Sequence, residues 1–319
     1  MWFPTGIIHA VTPPAAINPS SKAGTIAVAI NPAASFGRTR NAGDHAAAQF
    51  RAAGRDVVVL EADSYDALQR LVARTLSGPA VDALVVVGGD GMVHLGVNAL
   101  TGGDVALGIV PSGTGNDVAR LLGLPLHDTP AACRRILAAM VSGGRTIDAG
   151  RVAADGRTVY FAGVLSAGFD AAVNERANSW RWPRGKSRYN LAMLMELGSF
   201  RRIDYTVTAD DVTWRQPALL ISVANGQYIG GGMRITPEAS PDDGFLDLFV
   251  VKPLSRLRFL AVFPKVFAGR HVSHPAVETR RVRKVRLDAK GVVAYADGER
   301  IGALPVEVDI VPGALRVLA

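Results

Sequence analysis

The segment Gly88-Gly89-Asp90-Gly91 is the first in the chain with residue types that suit chemistry. It directly follows the apolar run Ala83–Val87 and precedes a segment typical of a helix. Glycines let the backbone approach a phosphate closely, and the N-terminus of the following helix offers free N–H groups. Asp90 suits a bound Mg²⁺ ion or a hydroxyl group that must lose a proton. The segment predicts a phosphate-binding turn, because a plain strand-to-helix turn needs one glycine and not three.

A second turn of similar composition, Pro111–Arg120, follows the next apolar run. Gly113 and Thr114 bring backbone freedom and a hydroxyl, whereas Asn116 and Asp117 fit the simpler task of capping a helix. Because ligands of parallel sheets bind where the strands end, we expect both turns at one edge of the sheet. Together they predict a cleft that can hold a triphosphate.

Two acidic segments lie further along the chain. Pro237–Asp247 combines carboxylates and carbonyls in a tight loop, which suits a hard cation, and a turn held by Asx hydrogen bonds explains it equally well. Asp297-Gly298-Glu299 lies between strand-like runs, and its carboxylates fit a general base and its partner. From spacing alone, an ordinary hairpin turn is the simpler interpretation of the second segment. His271 and His274 have no third metal ligand nearby and are interpreted as surface or core histidines.

Composition sets the outer limits of the function. The 319 residues are 49% hydrophobic, which allows a sizeable core in one large domain or two. A net charge of +7 favours anionic partners such as nucleotide phosphates or acidic lipid headgroups, although a solvated basic surface explains it too. Cys133 is the only cysteine, so an internal disulfide is excluded and a reducing cytosol is expected. The apolar runs are too short to span a membrane, so we expect only peripheral membrane contact.

The elements that must position these turns change in character near Asp148. Before it, buried strands alternate with helices, which predicts a doubly wound parallel sheet. After it, alternating strands predict an antiparallel β domain. The predicted early strands are Thr25–Ile30, Asp56–Leu60, Ala83–Val87 and Val105–Val110, with helices at Gly43–Ala53, Ser64–Leu76, up to Leu100, and at Asn116–Leu122. The predicted later strands are Thr158–Leu165, Asp204–Thr208, Ala218–Ala224, Phe245–Val251, Lys284–Leu287, Val292–Tyr295 and Val306–Val311, with helices at Tyr189–Phe200 and Leu254–Phe267.

Short motifs occur in a fixed order from about Thr25 onward. They are Asn31-Pro32, Gly88-Gly89-Asp90-Gly91, Pro111–Arg120, Asp148-Ala149-Gly150, Gly168-Phe169-Asp170, Asn225-Gly226, Gly230-Gly231-Gly232, Asp243–Asp247 and Asp297-Gly298-Glu299. Their order and spacing resemble the diacylglycerol kinase catalytic family, which also contains sphingosine and ceramide kinases and soluble bacterial lipid kinases. The resemblance implies an α/β fold: an N-terminal doubly wound parallel-sheet nucleotide-binding domain and a second, antiparallel β-sandwich domain. The implied limits are a loose leader at 1–22, an ATP-binding domain at 23–147 to which 303–319 return, and a lipid-substrate domain at 148–302.

The resemblance also implies roles for individual residues. Asp297 would be the general base that takes the proton from the lipid hydroxyl, Glu299 would lie near the catalytic Mg²⁺, and Asp90 would organise nucleotide and metal. A structural Mg²⁺ would bind the Ser240 and Phe245 carbonyls and the Asp243 carboxylate. The implied nucleotide-binding residues are Asn31, Pro32, Gly88, Gly89, Asp90, Gly91, Met92, Gly113, Thr114 and Asn116, and the implied cofactors are ATP and Mg²⁺.

The chain departs from the family pattern after the first glycine turn. Met92 stands where the family usually has threonine, and Leu95, preceded by His94, stands where a glutamate is common. A hydroxyl and a carboxylate near the nucleotide are thus missing. This implies a shifted nucleotide geometry, a different preference for the phosphoryl donor, or weak activity.

Together these features predict transfer of the ATP γ-phosphoryl group to the hydroxyl of diacylglycerol, giving phosphatidic acid, by a cytoplasmic protein at the membrane surface. A kinase of a sphingoid base or other glycolipid, and a catalytically weak lipid- or nucleotide-binding homologue, are the alternatives. A NAD kinase shares the first glycine turn but leaves Pro111–Arg120 and Asp297-Gly298-Glu299 unexplained. No nucleic-acid partner is expected, and a homodimer is a candidate assembly. Basic residues that suit anionic lipid headgroups, or simply a solvated face, are Arg181, Arg184, Lys186 and Arg188 beside Trp180 and Trp182, and Arg280, Arg281, Arg283, Lys284 and Arg286.

Overall fold

The computed structural model describes residues 24–31, 38–154, 156–168, 173 and 202–319. Within them the α-helices are α1 Arg38–Ala52, α2 Tyr65–Leu76, α3 Asp90–Leu100, α4 Asp117–Leu121, α5 Thr129–Ser142 and α6 Arg256–Val262. The strands are β1 Thr25–Ile30, β2 Asp56–Glu61, β3 Ala83–Gly88, β4 Ala106–Pro111, β5 Arg145–Ala154, β6 Arg157–Phe161, β7 Val164–Gly168, β8 Ile203–Ala209, β9 Val212–Ala218, β10 Leu220–Ala224, β11 Tyr228–Ile229, β12 Met233–Arg234, β13 Leu246–Val251, β14 Val277–Val282, β15 Lys284–Asp288, β16 Val293–Ala296, β17 Glu299–Ala303 and β18 Val306–Val317.

The first half is the parallel α/β domain that the alternation of strands and helices predicts. Strands β2, β1, β3 and β4 are neighbours in that order and all run parallel. Their apolar side chains face both ways: Phe50 of α1 and Ile136 of α5 pack on one face, and Leu68 of α2 and Val93 of α3 pack on the other. Burial on both faces explains why β3 and β4 are continuously apolar.

The second half is a β-sandwich. One sheet runs β14-β13-β10-β7-β16-β17, and the other continues the parallel sheet through β18, β15, β8 and β9. Leu165 and Ile221 of the first sheet share one core with Val207 and Val285 of the second. The antiparallel β-sandwich is therefore confirmed.

The last strand belongs to both halves. Glu307–Val311 and Leu315–Val317 of β18 pair with β5, and Val317 also lies parallel to Leu107 of β4. Gly102 of the first half donates its N–H to the Ala314 carbonyl at 2.9 Å. The chain end thus completes the first sheet, while the domain limits given above stay a prediction.

Several predicted elements differ from the observed ones. The strand predicted at Thr158–Leu165 is two strands, β6 and β7, because the N–H groups of Ala162 and Gly163 point to a side chain instead of a neighbouring strand. The helix predicted at Leu254–Phe267 ends as α6 and continues as the 3-10 helix Phe263–Ala268, which contains Pro264. Sequence patterns did not predict α5, β5, β9, β11, β12, β14 and β17. The leader, Pro32, Phe169-Asp170, Tyr189–Phe200 and the basic residues beside Trp180 and Trp182 lie outside the described residues.

Candidate active site

The two glycine turns lie against each other at the carboxyl edge of the parallel sheet. The Ser112 N–H donates to the Gly88 carbonyl at 2.9 Å. A side chain on Gly113 would place its Cβ 2.3 Å from the Gly89 Cα, so only glycine allows this approach. Asn31 follows Ile30, which pairs with Val87, and therefore lies at the same edge. The structure thus brings the predicted phosphate-binding turns together.

Asp90 holds the second turn in place. Its carboxylate accepts N–H bonds from Asn116 at 2.9 Å and from Asp117 at 2.7 Å. Burial raises the pKa of Asp90, while these backbone donors oppose the rise. One carboxylate therefore satisfies the first N–H groups of α4, which have no partner within the helix. These bonds of Asp90 fix the second glycine turn, and with it the shape of the cleft predicted to bind phosphate.

Asn116 and Met92 also support the turns from beneath. Asn116 is buried with φ of 55°, and its side-chain amide both donates to and accepts from the backbone of Gly113. Met92 is buried, and its side chain packs under Gly88, where a Cβ would lie 2.5 Å from the Met92 Cγ. Neither side chain faces the cleft, so the expected contact of Met92 with a nucleotide is not one its side chain can make. Thr114, by contrast, is exposed at the tip of the second turn.

Asp117 links the two halves of the molecule. Its carboxylate accepts N–H bonds from Gly231, at 2.9 Å, and from Gly232, at 2.8 Å, both in the turn between β11 and β12. Burial, with the nearby charge of Asp90, raises the pKa of Asp117 to about 6. The helix-capping role predicted for this side chain is wrong, because the carboxylate points across the cleft to the other half.

Asp297 lies between β16 and β17 with a positive φ of 48°, the left-handed region. Its Oδ1 accepts N–H bonds from Gly163 and Val164, both at 3.0 Å, and its Oδ2 accepts one from Ala162 at 2.9 Å. A carboxylate has about four lone-pair positions, so one on Oδ2 stays open. Burial raises the pKa of Asp297 to about 7, and the charge of Asp90 adds to the effect. Asp297 is thus a desolvated carboxylate with a pKa near neutrality, the range that suits a general base.

Asn225 holds the backbone that in turn holds Asp297. Its Nδ2 donates to the carbonyls of Asp148 and Ala162, both at 3.0 Å, and its N–H donates to the Gly163 carbonyl at 2.8 Å. The position of the candidate base therefore depends on a residue more than seventy positions away in sequence.

Glu299 brings a second carboxylate to the first glycine turn. A Cβ on Gly91 would lie 3.1 Å from the Glu299 Oε1, and no hydrogen bond or ion pair joins that carboxylate to any described residue. Partial desolvation raises the pKa of Glu299. Tyr65 lies alongside: its hydroxyl donates to the Gly91 carbonyl at 3.4 Å, and burial followed by the Glu299 charge raises its pKa. Sequence reasoning missed Tyr65, since a tyrosine at the start of α2 carries no motif.

The acidic turn is a separate feature, built as a hydrogen-bonded turn. The Asp243 carboxylate accepts the Phe245 N–H at 3.0 Å and pairs with the Arg281 guanidinium. The Ser240 hydroxyl donates to Asp242 at 2.6 Å. Arg281 already supplies the positive charge, so this arrangement of the donors does not fit a divalent cation, and the metal role of Ser240, Asp243 and Phe245 stays a prediction. Across the described parts of the chain, no three His, Cys, Asp or Glu side chains cluster as metal ligands.

An apolar cavity of about 90 Å³ lies on the outer face of the six-stranded sheet, beneath α6. Leu220 of β10, Phe249 of β13 and Phe259 of α6 are among its lining residues. The buried cluster around it extends to Val164, whose N–H holds Asp297. Packed apolar side chains therefore connect the cavity wall to the strand whose backbone holds the candidate base.

Comparison with known proteins identifies two matching families. Residues 25–152 match the family described as "Diacylglycerol kinase catalytic domain". Residues 163–319 match the family described as "YegS C-terminal NAD kinase beta sandwich-like domain". The two matches meet between β5 and β7, close to the backbone that holds Asp297.

Similar proteins are found among bacterial kinases. The chain is 38% identical over 298 residues to the "Diacylglycerol kinase" of Mycobacterium tuberculosis (strain ATCC 25618 / H37Rv), covering 92% of this chain and 95% of that one. It is 29% identical over 276 residues to the "Probable lipid kinase YegS-like" of Pseudomonas aeruginosa strain UCBPP-PA14, covering 85% and 87%. A crystal structure of a diacylglycerol kinase from Bacillus anthracis str. Sterne superposes with a TM-score of 0.68 at 19% identity, covering 93% and 96%. That likeness bears on the fold.

Proposed function

This chain belongs to the diacylglycerol kinase catalytic family, and from that premise we propose that it transfers the γ-phosphoryl group of ATP to diacylglycerol, giving phosphatidic acid. Family membership makes it a lipid kinase-like phosphotransferase that uses ATP. The choice of diacylglycerol as acceptor is the proposed part. The observation that carries the proposal is the Asp297 carboxylate, which three backbone N–H bonds hold close enough to Asp90 of the first glycine turn for the charge of Asp90 to raise its pKa.

Asp297 removes the proton in the proposed reaction. Three backbone N–H bonds fix its carboxylate, and the remaining lone pair accepts the hydroxyl of the acceptor. A pKa of about 7 leaves it substantially ionised at neutral pH and still basic enough to take the proton. The base is therefore both positioned and tuned before substrate arrives.

The glycine turns bind the phosphates of ATP in this proposal. Gly89, Gly91 and Gly113 allow close approach of the backbone, and the N-terminus of α3 favours negative charge. The exposed Thr114 hydroxyl and Asn31 at the end of β1 supply further contacts. Asp90 contributes by holding the second turn.

Glu299 is the residue that fits a divalent cation. Its carboxylate has no counter-charge among the described residues, and it lies beside Gly91. Oxygen ligands of this kind suit Mg²⁺, which keeps several waters and binds phosphates together with one or two carboxylates. When bound, Mg²⁺ neutralises negative charge on the transferring phosphoryl group.

The acceptor enters from the membrane side in this proposal. No helix in the described parts of the chain is long and apolar enough to cross a membrane. Exposed basic side chains on β14 and β15 support contact with anionic headgroups, although Arg281 and Arg286 are already paired with Asp243 and Glu307. We expect weak, salt-sensitive membrane binding from the remaining charge.

The proposal is tested by incubating the protein with labelled ATP, Mg²⁺ and dispersed lipids. We expect label in phosphatidic acid with wild type and none above background with Asp297→Asn. Asp309→Asn is the matched control, because Asp309 is a half-buried aspartate of β18 that pairs with Arg151 of β5 and is not among the candidate site residues. Transfer to a sphingoid base but not to diacylglycerol would establish the alternative acceptor, which the relative named only as a lipid kinase keeps in view.

A further inference from the structure

The outer side of α6 exposes large apolar side chains to solvent. Leu257 is 80% exposed and Leu260 is 48% exposed, and Phe267 of the adjoining 3-10 helix is 57% exposed. The other large apolar side chains that are exposed in the described parts of the chain are four valines on three other elements. Single exposed apolar residues are common on proteins, but a group of large ones on one short segment indicates an interaction surface.

The two sides of α6 have different surroundings. At about 3.6 residues per turn, Leu257 and Leu260 lie on one side of the helix, and Phe259 and Val262 lie on the opposite side. Phe259 and Val262 line the apolar cavity, so the inner side of the helix packs against the protein. A helix that is apolar on both sides is normally covered on both. The exposure of Leu257 and Leu260 therefore indicates a partner for the outer side.

The charge around these apolar side chains has one sign. Arg258, Lys265 and Arg270 are exposed, and no ion pair joins any of them to a described carboxylate. The sequence contains no aspartate or glutamate from residue 248 to residue 277. This positive charge complements an anionic partner. We define the α6 face as Leu257, Leu260 and Phe267 together with Arg258, Lys265 and Arg270.

A bilayer that contains anionic lipids fits the α6 face better than a second copy of the chain does. At a bilayer surface, a short amphipathic element buries its apolar side chains at the level of the headgroups, and its cations meet the anionic phosphates. Two copies related by a twofold axis would instead bring the same cations together. The segment offers no acidic residue to pair with them.

We propose that the α6 face docks the protein onto the surface of a membrane that contains anionic lipids, with Leu257, Leu260 and Phe267 inserted among the headgroups. The inference goes beyond the kinase reaction proposed above, because docking needs neither ATP nor a particular acceptor lipid. It also assigns the main contact to α6 and not to β14 and β15, where Arg281 and Arg286 are already paired with carboxylates.

The test measures how much of the full chain sediments with vesicles made of phosphatidylcholine and phosphatidylglycerol in equal parts. We expect wild type to bind these vesicles, and to bind vesicles of phosphatidylcholine alone about tenfold more weakly. Leu257→Gln combined with Leu260→Gln should lower the partition coefficient about ten- to a hundredfold, because glutamine preserves the helix but removes the apolar surface. Arg258→Glu should lower it about tenfold at low salt, and by less at high salt.

Two substitutions on α5 are matched controls. Val141 is 82% exposed, about as much as Leu257, so Val141→Gln tests whether loss of any exposed apolar side chain weakens binding. Arg135 is exposed too, and Arg135→Glu changes the net charge by the same amount as Arg258→Glu. Both controls should bind the vesicles nearly as well as wild type. The melting temperatures of all these variants should stay close to that of wild type, because the substituted side chains are exposed.

Insertion of the α6 face is tested with a fluorophore attached to Leu257→Cys. Cys133 is buried, so a thiol-reactive dye should label the introduced thiol selectively. Vesicles that contain phosphatidylglycerol should shift the emission of this dye to the blue. The same dye on Val141→Cys should not respond. Equal responses at the two positions would contradict docking through α6.

The outcomes of these experiments separate docking from the kinase reaction. Absence of vesicle binding by wild type, or unchanged binding in the paired glutamine variant, would overturn the inference. A concentration-dependent dimer that this variant loses, without vesicle binding, would overturn it in favour of a second copy. Transfer to a short-chain diacylglycerol dispersed without vesicles should be equal in wild type and this variant. If neither transfers label but wild type alone binds vesicles, the proposed function fails and docking stands.

Discussion

The first glycine turn and the turn at Asp297 differ in how they use a buried carboxylate. Each places one carboxylate beside the cleft and fixes it with backbone N–H groups. At Asp90 the backbone N–H groups of Asn116, Asp117 and Val118 at the start of α4, together with that of Asp90 itself, all stabilise the carboxylate, so it serves the next turn. At Asp297 the donors are Ala162, Gly163 and Val164, and one lone pair of Oδ2 has no donor among the described residues. The difference lies in what each carboxylate still has available.

The comparison shows that a motif does not state the role of its aspartate. Asp90 lies in the more recognisable motif, but its hydrogen bonds hold the start of α4 and so support the second glycine turn. Asp297 lies in a segment that spacing alone assigns to a hairpin turn, and its bonds leave one lone pair available for the proton transfer that we propose. Substitutions of the two carboxylates should therefore damage different steps of the reaction.

Asp297→Asn should give the largest effect, a loss in kcat of about a thousandfold, because the amide cannot take the proton. The KM for ATP should change little, since the glycine turns are intact. Steady-state kinetics with labelled ATP measures both values. A similar loss in Asp309→Asn would show that the effect is not specific to the base.

Asp90→Asn should lower kcat/KM for ATP by about ten- to a hundredfold, chiefly through KM. One of the two N–H groups at the start of α4 would face an amide N–H instead of an oxygen, and the second turn would shift. Thermal melting should show a fall of about 1–3 kcal/mol in the free energy of unfolding. A kcat loss as large as that of Asp297→Asn, with ATP binding unchanged, would contradict the division of roles.

The pH dependence should separate the two carboxylates further. With a pKa of about 7, Asp297 is protonated in acid, so kcat should fall about tenfold for each pH unit below that value. The contribution of Asp297 to the free energy of unfolding should instead decrease as the pH rises. The folded pKa is raised from 3.8, so the stabilisation is complete below about 4 and is lost as pH rises through about 7.

A comparison of melting temperatures checks this sign. Relative to Asp297→Asn, which does not titrate, wild type should lose stability between pH 4 and pH 7. A rate that is flat across this range would remove Asp297 from the role of base.

Tyr65→Phe should give the smallest effect, a two- to threefold rise in the KM for ATP with kcat nearly unchanged. Its hydroxyl bond to Gly91 is long, at 3.4 Å, so its loss loosens the first turn only slightly. Initial rates over a range of ATP concentrations measure the change. An unchanged KM would remove Tyr65 from the support of this turn.

Local patterns predicted much of this molecule. The apolar runs gave β1, β3 and β4 nearly to the residue, because strands buried on both faces have a distinctive composition. The helix predicted at Ser64–Leu76 is α2, and the Ser64 hydroxyl caps it by accepting the Ala67 N–H. Both glycine turns were predicted because the residues that define each turn are adjacent in the sequence.

Contacts between distant residues were not predictable in this way. The bond from Gly231 to Asp117 spans 114 positions, and the bond from Ala162 to Asp297 spans 135. In neither pair do the residues next to one partner in the sequence indicate the position of the other. The sequence shows that Met92 replaces the usual threonine. That the Met92 side chain packs beneath Gly88, however, depends on the folded structure.

The shared strand β18 has a consequence for how the protein is made. During synthesis, β4 leaves the ribosome about two hundred residues before the residues that cover its edge at Val317. An unpaired strand edge is a template for pairing with other chains. The nascent first half therefore stays incomplete until the residues around Val317 have been made, and deletion of residues 315–319 should lower the soluble yield of the protein more than its activity per folded molecule.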